Sequence, residues 1–325
     1  MPVMIKQTPT QAKPNGAAAA STIPGIVSAK SLVTRWWKVC LYGKNRVGKS
    51  TLAVQWPKPL LYAAAEPADN AGSDSIAGME GVDISMIGIR PYPDPTGYPE
   101  TMKGSAKALW LASYLMDLFE KSQCPYKSVA LDATAIQGII LAELMGWNEV
   151  GNIQKWASVP REVYFERADK TREVLRKFAS LPCNVIFVCQ EKDHNPQNDG
   201  TMTSKLLNVE QSLSFMAASL GGSTVEWLHD ACGCICQLYQ QPEIKSQEIP
   251  VVINGIAQPP EILYTPTGKF VRRLRTMYDG NHAAGIRHPK PDVVPQYIEA
   301  VTPGEMYEEL IKVLSGSKSA KGKYI

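Results

Sequence analysis

Apolar and polar positions follow two patterns that alternate along the chain. Mainly apolar segments of strand length, bounded by turn residues, occur at residues 37–43, 59–66, 126–134 and 183–190. Apolar residues recur at helical spacing in residues 104–122, and the charge-rich region 135–180 is also predicted to be mainly helical. Strands that alternate with helices typically form parallel sheets, so the pattern predicts an α/β fold with a mainly parallel sheet flanked by helices.

The rest of the pattern adds shorter elements. A short helix is predicted at residues 49–56, where two prolines stop it, and another helix is predicted at residues 211–220. Four further strands are predicted at residues 231–240, 250–256, 261–266 and 269–278.

Composition divides the chain into three regions. Residues 1–35 are rich in Ala, Pro, Thr and Ser with little apolar periodicity, which predicts a flexible N-terminal arm. Residues 36–285 hold the alternating elements and form the predicted core. Residues 286–325 are predicted to form a C-terminal helix followed by a frayed basic tail.

One glycine-rich turn carries the most specific signal. Residues 43–51, GKNRVGKST, follow a predicted strand, open a predicted helix and match the pattern G-x-x-x-x-G-K-[ST]. In this pattern backbone N–H groups surround phosphate oxygens, the lysine (Lys49) contacts the outer phosphates, and the next hydroxyl (Ser50) binds magnesium. The alternative is a surface Gly/Lys turn. We favour a nucleotide site made of nine residues: Gly43, Lys44, Asn45, Arg46, Val47, Gly48, Lys49, Ser50 and Thr51.

Two acidic residues end predicted strands. Asp132 ends the apolar run SVALD, where its carboxylate can hold Mg²⁺ together with Ser50, although an aspartate there is also common as a simple helix cap. Glu66 ends the strand that follows the helix predicted after this glycine-rich turn, which is called a P-loop, so in a parallel sheet it would emerge at the edge where the phosphates lie. That position suits a group that orients the water molecule that attacks the γ-phosphate when a nucleotide is hydrolysed. The alternative is a solvated loop carboxylate before Pro67.

With these motifs, the chain resembles the RecA superfamily of recombination ATPases, and in particular short phage-encoded members related to single-strand annealing recombinases. The resemblance covers residues 36–285 and rests on the order of the P-loop, Glu66, Asp132 and the strand VIFVCQ, which ends at Gln190. It implies a RecA-like P-loop NTPase core that hydrolyses ATP with Mg²⁺. In that core Lys49 and Glu66 would act in catalysis, and Gln190 would sense the γ-phosphate. A glutamine at a strand end is also a common hydrogen-bonding cap.

The same resemblance implies that the loop after Gln190 contacts single-stranded DNA. This loop, residues 191–208, is polar and lacks a core pattern, and its DNA-binding candidates are Lys192, His194 and Lys205. A plain surface loop is the alternative.

The resemblance further implies a homo-oligomer, either a ring or a filament. RecA-like ATPases often carry a basic residue on a late strand that reaches the nucleotide of the neighbouring subunit. Strand alternation places Arg272 on one face of the predicted strand 269–278 and Arg273 and Arg275 on the other, and the sequence does not choose between the two sets. Lys269 lies on the same strand.

Charge, hydropathy and cysteine content restrict the partners and the cellular compartment that the sequence allows. The net charge of +3 permits a nucleic-acid partner without requiring one. No apolar run approaches the roughly 18 residues of a membrane helix, so we expect no membrane association and a cytosolic protein. The resemblance implies the cytoplasm of a bacterial or phage-infected host. The odd number of cysteines, seven, indicates reduced thiols. The run CGCICQ could hold a metal, but a spacing of two predicts all three sulfurs on one packed strand face, which we favour.

The sequence therefore predicts a Mg²⁺-dependent ATPase, DNA-stimulated, that couples nucleotide state to single-stranded DNA binding in recombination, annealing or repair. Two alternatives stay open. One is a helicase or helicase-loader type of motor on the same core. The other is a nucleotide-gated regulatory protein that does not bind DNA.

Overall fold

A sheet of eleven strands organises the part of the chain that the computed structural model describes, namely residues 36–65, 74–88, 104–147, 159–194, 215–253 and 256–324. The strands are β1 (Lys38–Gly43), β2 (Leu60–Ala64), β3 (Val82–Met86), β4 (Ser128–Asp132), β5 (Asn184–His194), β6 (Phe215–Ala218), β7 (Cys234–Ile253), β8 (Ile256–Arg275), β9 (Gly285–Ile286), β10 (Tyr297–Ala300) and β11 (Gly322–Lys323). The helices are α1 (Lys49–Ala53), α2 (Gly104–Glu120), α3 (Ala133–Leu144), α4 (Arg161–Ala179), α5 (Gly222–Ala231) and α6 (Pro303–Leu314), and a 3-10 helix covers Pro291–Val293.

The sheet has a parallel part and an antiparallel part. Its main path runs in the order β11-β10-β8-β7-β1-β5-β4-β2-β3, with β6 beside β5 and β9 beside β7. The pairs from β7 through β1, β5, β4 and β2 to β3 are parallel, whereas the pairs from β7 outward to β11 are antiparallel. Parallel strands are covered on both faces and therefore read as continuous apolar runs. The predicted α/β fold, a mainly parallel sheet flanked by helices, is confirmed.

Helices cover both faces of the sheet. One core cluster joins the sheet to α2, α3, α4 and α5, and the other joins it to α1 and α6. Strand alternation divides β1 between them, since Cys40 and Tyr42 belong to the first cluster and Val39 and Leu41 to the second. The P-loop strand is therefore fixed by packing on both sides.

The C-terminal elements extend the sheet. β10 pairs with β8, β11 pairs with β10, and residues Trp36–Ile325 form one compact unit. Glu309 of α6 accepts hydrogen bonds from the Ser319 hydroxyl at 2.7 Å and from the Ala320 backbone N–H at 2.9 Å. The prediction of a frayed tail is therefore wrong for residues 315–324, because a buried carboxylate anchors them. The predicted N-terminal arm, residues 1–35, lies outside the described residues.

The helix predicted at residues 211–220 is wrong where the structure describes this segment. Residues Phe215–Ala218 form β6, an antiparallel partner of β5 beyond Gln190, with Glu191 paired to Ala218. The strand predicted to end at Gln190 continues to His194, so an extended partner was available. Tertiary pairing overrode the helical spacing of the apolar residues.

Local geometry corrects two further predictions. The strands predicted at residues 250–256, 261–266 and 269–278 belong to only two long strands, β7 and β8. Cys232 follows the end of α5 and packs in the first core cluster, whereas Cys234 and Cys236 lie in β7 and pack in the second. The three sulfurs of CGCICQ do not share one face, because the strand begins only at Cys234.

Candidate functional site

The P-loop connects β1 to α1 at the carboxyl edge of the parallel strands. Gly43 ends β1, and a Cβ built on it would lie 2.2 Å from the Leu238 backbone oxygen, so β7 leaves no room for a side chain. Gly48 has φ 99°, a left-handed conformation that favours glycine, and Arg46 also has a positive φ of 63°. The two glycines of the motif are thus required for different reasons, one for packing and one for backbone conformation.

Lys49 points its ammonium group into the loop. Its Nζ donates hydrogen bonds to the backbone oxygens of Gly43 at 2.9 Å and of Lys44 at 2.6 Å, and the residue is only 9% exposed. Burial lowers the pKa of Lys49, and the nearby charge of Asp132 acts in the opposite direction. The lysine is therefore held within the turn that the motif assigns to the phosphates.

The hydroxyl of Ser50 has a neighbour that the sequence did not point out. Tyr62 of β2 is buried, and its hydroxyl donates a hydrogen bond to Ser50 Oγ at 3.2 Å. This contact orients the side chain that the motif assigns to magnesium. The available signal was a phenol in the otherwise apolar run LLYAA.

Asp132 ends β4 and begins α3. Its Oδ1 accepts a hydrogen bond from the Ala135 backbone N–H at 3.1 Å, so the alternative role of helix cap is present in the structure. The same carboxylate is close enough to influence the pKa of Lys49. Capping and metal binding are compatible, because a carboxylate has two oxygens with several acceptor positions.

Gln190 lies beside the start of the P-loop. In the register of β1 and β5 it is paired with Gly43, and its backbone N–H donates a hydrogen bond to Thr134 Oγ1 of α3 at 3.0 Å. Its side chain is exposed at this edge. The next residue, Glu191, accepts a hydrogen bond from Gln237 Nε2 at 3.0 Å. Sequence reasoning missed Gln237, which is buried on β7 at the same edge.

The structure describes some of the predicted site residues only in part or not at all. Glu66 and Lys205 lie outside the described residues. His194 ends β5, and its side chain also lies outside the description. Lys192 is exposed on β5, where its register partner in β6 is Ala217. The structure thus brings Gly43, Lys49, Ser50, Asp132 and Gln190 to one edge and leaves the other predicted roles as predictions.

The basic residues of β8 have different environments. Arg273 donates to Glu299 at 2.8 Å and lies over the Tyr297 ring. Arg275 pairs with Asp279 and lies over the Tyr239 ring. Arg272 instead donates to the Val301 backbone oxygen at 3.0 Å, and a Cβ built on Gly48 would lie 3.7 Å from its Nε. Arg272 therefore lies against the P-loop at Gly48.

Three other kinds of feature bear on function in the described part of the chain: metal-binding clusters, cysteines and membrane-spanning helices. No cluster of three or more His, Cys, Asp or Glu side chains with metal-binding geometry occurs there. All seven cysteines are free, and burial raises the pKa of Cys183 to about 12. No described helix combines the length and apolar character needed to cross a membrane.

The fold and this edge define an α/β P-loop ATPase-like protein. The chain belongs to the AAA domain family, which matches residues 35–256. No curated protein matches the sequence. Among solved structures, the flagellar accessory protein FlaH from Methanocaldococcus jannaschii is similar at 10% identity with a TM-score of 0.32, covering 81% of this chain and 84% of that chain. The P-loop part of the RecA-superfamily resemblance is confirmed, while the resemblance to phage recombinases stays a prediction.

Proposed function

We propose that the protein binds ATP and Mg²⁺ at the P-loop, hydrolyses the nucleotide and couples its state to single-stranded DNA binding. The observation that carries the nucleotide part is the burial of the Lys49 ammonium group within a turn whose Gly48 adopts φ 99°. Backbone amides and a lysine arranged in this way form the cradle that P-loops use for phosphates.

The residues present at this edge suit magnesium as well. A hydroxyl and a carboxylate are hard oxygen ligands, and Ser50 and Asp132 would hold the ion between them. Bound Mg²⁺ supplies charge neutralisation at the phosphate oxygens. Lys49 binds the outer phosphates, Glu66 orients the attacking water, and Gln190 senses the γ-phosphate.

Replacement of the P-loop lysine tests the nucleotide site. Lys49→Ala is expected to abolish the binding of a fluorescent ATP analogue, because the cradle loses its only buried ammonium group among the described residues of the loop. Lys177→Ala, on the exposed side of α4, is the matched control and is expected to bind as the wild type does. Retained affinity in Lys49→Ala would refute the site.

A second variant separates binding from hydrolysis. Glu66→Gln is expected to keep nucleotide affinity and to slow ATP turnover about 100-fold or more, because general-base contributions are of that size. Steady-state phosphate release and analogue binding are measured on the same samples. An unchanged rate would remove Glu66 from the mechanism without affecting the nucleotide site.

The DNA part of the proposal is supported by the path of β5. This strand carries Gln190 beside Gly43 and continues without a break to His194, so the first four residues of the predicted loop 191–208 belong to the strand instead. A displacement of Gln190 at the phosphates would therefore act directly on the first residues of that loop. We propose that the loop orders along a DNA backbone and that the protein assembles as a homo-oligomer.

Salt dependence tests this contact. Replacing both Lys192 and Lys205 with Ala is expected to weaken binding to a labelled single strand and to reduce the slope of log affinity against log salt by about 0.7 for each lost phosphate contact. Lys177→Ala again serves as the control. Equal slopes for variant and wild type would exclude the contact. An ATPase rate that is indifferent to single strands would favour a nucleotide-gated protein that does not bind DNA.

A further inference from the structure

Arg272 lacks the acidic partners that its neighbours on β8 have. Arg273 pairs with Glu299 and Arg275 with Asp279, whereas no carboxylate among the described residues lies within ion-pair distance of Arg272. Its Nη1 donates to the Val301 backbone oxygen, but its Nε is buried and, like the Nε of Arg275, has no hydrogen-bond partner in the described part of the chain. An unsatisfied buried donor costs about 1–3 kcal/mol, so its position calls for an acceptor.

Arg272 lies next to the P-loop of its own chain. A Cβ built on Gly48 would lie 3.7 Å from Arg272 Nε, so the guanidinium group lies against the residue that precedes Lys49. The loop already carries Lys44, Arg46 and Lys49. Arg272 adds a further positive charge at this loop, and a polyanion such as the phosphates of a nucleotide would offset the repulsion between these cations.

The backbone around Arg272 holds it in this place. β8 is paired on both sides at this residue, with Gln240 of β7 and Ala300 of β10, and the Val301 oxygen fixes one end of the guanidinium group. The side chains of Arg273 and Arg275 lie on the opposite face and are engaged by Glu299 and Asp279. Arg272 is thus held against the phosphate cradle at Gly48.

We propose that Arg272 binds the phosphate groups of the nucleotide held by the P-loop of its own chain. Each chain then carries a complete set of phosphate-binding cations and does not depend on an arginine from a neighbouring subunit. The inference rests on the proposed nucleotide site. A guanidinium group suits this role because it is permanently charged and presents several N–H donors in one plane.

Nucleotide affinity gives a test that does not depend on turnover. Arg272→Ala is expected to weaken the binding of a fluorescent ATP analogue about tenfold or more, because it removes a charge-assisted hydrogen bond. Arg272→Lys keeps the charge but not the planar donor set, and an intermediate affinity is expected. Lys269→Ala, three residues away on the same strand and exposed, is the matched control and is expected to bind as the wild type does.

Fold integrity is measured on the same variants by urea unfolding followed by circular dichroism. The midpoint of Arg272→Ala is expected to stay near that of the wild type, because the variant also removes a buried donor without a partner. Wild-type affinity in a folded Arg272→Ala would overturn the inference. If the wild type itself binds no analogue, the proposed function fails first, so the two failures are distinguishable.

Mixing two variants that each lack one of these cations tests whether the arginine acts within one chain. Arg272→Ala and Lys49→Ala are combined at equal concentration, and ATP turnover is compared with the sum of the separate samples. No gain is expected, because no chain in the mixture has both cations. Recovery of activity would mean that a site with an intact P-loop uses the arginine of another chain, which would overturn the assignment to the same chain.

Discussion

Two regions of one sheet differ in what covers them. The central strands β1, β4 and β5 have helices on both faces, and residues such as Val129 and Phe187 are 0% exposed. The outer ribbon, formed by residues 241–253 of β7 and 256–271 of β8, has no third strand beside it in the described part of the chain, and Tyr264 and Phe270 are 64% and 66% exposed. Burial fixes the central strands, whereas chain connectivity fixes the ribbon, since a hairpin pairs with its own neighbour.

This difference explains where the site lies. Phosphate-binding residues must be held within tenths of an ångström, and strands packed on both faces can do this. An isolated two-stranded ribbon has little stability of its own, so the ribbon is anchored only at its base, where β1 and β10 flank it. Arg272 lies at that base, whereas Phe270 lies two residues beyond it in the exposed part.

Truncation of a phenylalanine in each region is expected to give the largest contrast. Phe187→Ala, in β5, is expected to lower the free energy of unfolding by about 3–5 kcal/mol because it opens a cavity in the core. Phe270→Ala, in the ribbon, is expected to change it by no more than about 0.5 kcal/mol. Urea unfolding measures both. A loss at Phe270 as large as that at Phe187 would mean that the ribbon is packed in solution, and the contrast would disappear.

Replacement of a glycine tests how tightly the central strands are packed at the P-loop. Gly43→Ala is expected to cost about 1–3 kcal/mol, because its Cβ would meet the Leu238 backbone oxygen at 2.2 Å and the neighbouring strand cannot move freely. Gly285→Ala, in β9, is the control because a Cβ there would meet nothing within 4 Å. Thermal unfolding compares the two variants. Equal stability would show that β7 yields easily at this point.

The smallest expected effect on the free energy of unfolding concerns Glu309, which anchors the C-terminal residues beside the antiparallel part of the sheet. This effect depends on pH. Burial alone would raise the pKa of Glu309, but hydrogen bonds from Lys312 and Ser319 outweigh it and lower the pKa to about 2. A carboxylate with a depressed pKa stabilises the folded state above its unfolded pKa, and this stabilisation is lost as the pH falls through the folded value.

The difference in unfolding free energy between wild type and Glu309→Gln is therefore expected to be largest above about pH 5 and to shrink as the pH falls toward 2. Chemical unfolding at a series of pH values measures it. A difference that stays constant with pH would show that Glu309 contributes through packing and not through its charge.

The central strands and the P-loop could be predicted from sequence because each depends on local residue choice. The runs that became β1, β2, β4 and β5 are mainly apolar, and GKNRVGKST is specific by itself. The helix predicted at residues 211–220 failed, because Phe215–Ala218 satisfies its backbone by pairing with an extension of β5 that the pattern did not contain. The anchoring of the C-terminal residues by Glu309 was missed for a similar reason, since a single buried carboxylate has no periodicity.

The residues of the site also fall into two groups, those that the sequence identified and those that only the folded sheet brought to the loop. Lys49, Ser50 and Asp132 were found because motif position and strand ends are visible along the chain. Tyr62, Gln237 and Arg272 come from three different strands and meet the P-loop or its edge only after the sheet has formed. Arg272 was a candidate from the basic residues of its strand, but no local pattern showed that it, Tyr62 or Gln237 would lie at this loop.

By itself, the sequence determined the α/β class, the positions of the buried strands along the chain and the phosphate-binding turn, because burial and backbone conformation are encoded residue by residue. Only the tertiary structure decided why Gly43 must be glycine and which of three arginines faces the P-loop. Those outcomes depend on how closely β7 and β8 pass the loop, and such distances arise from packing between segments that are far apart in the chain.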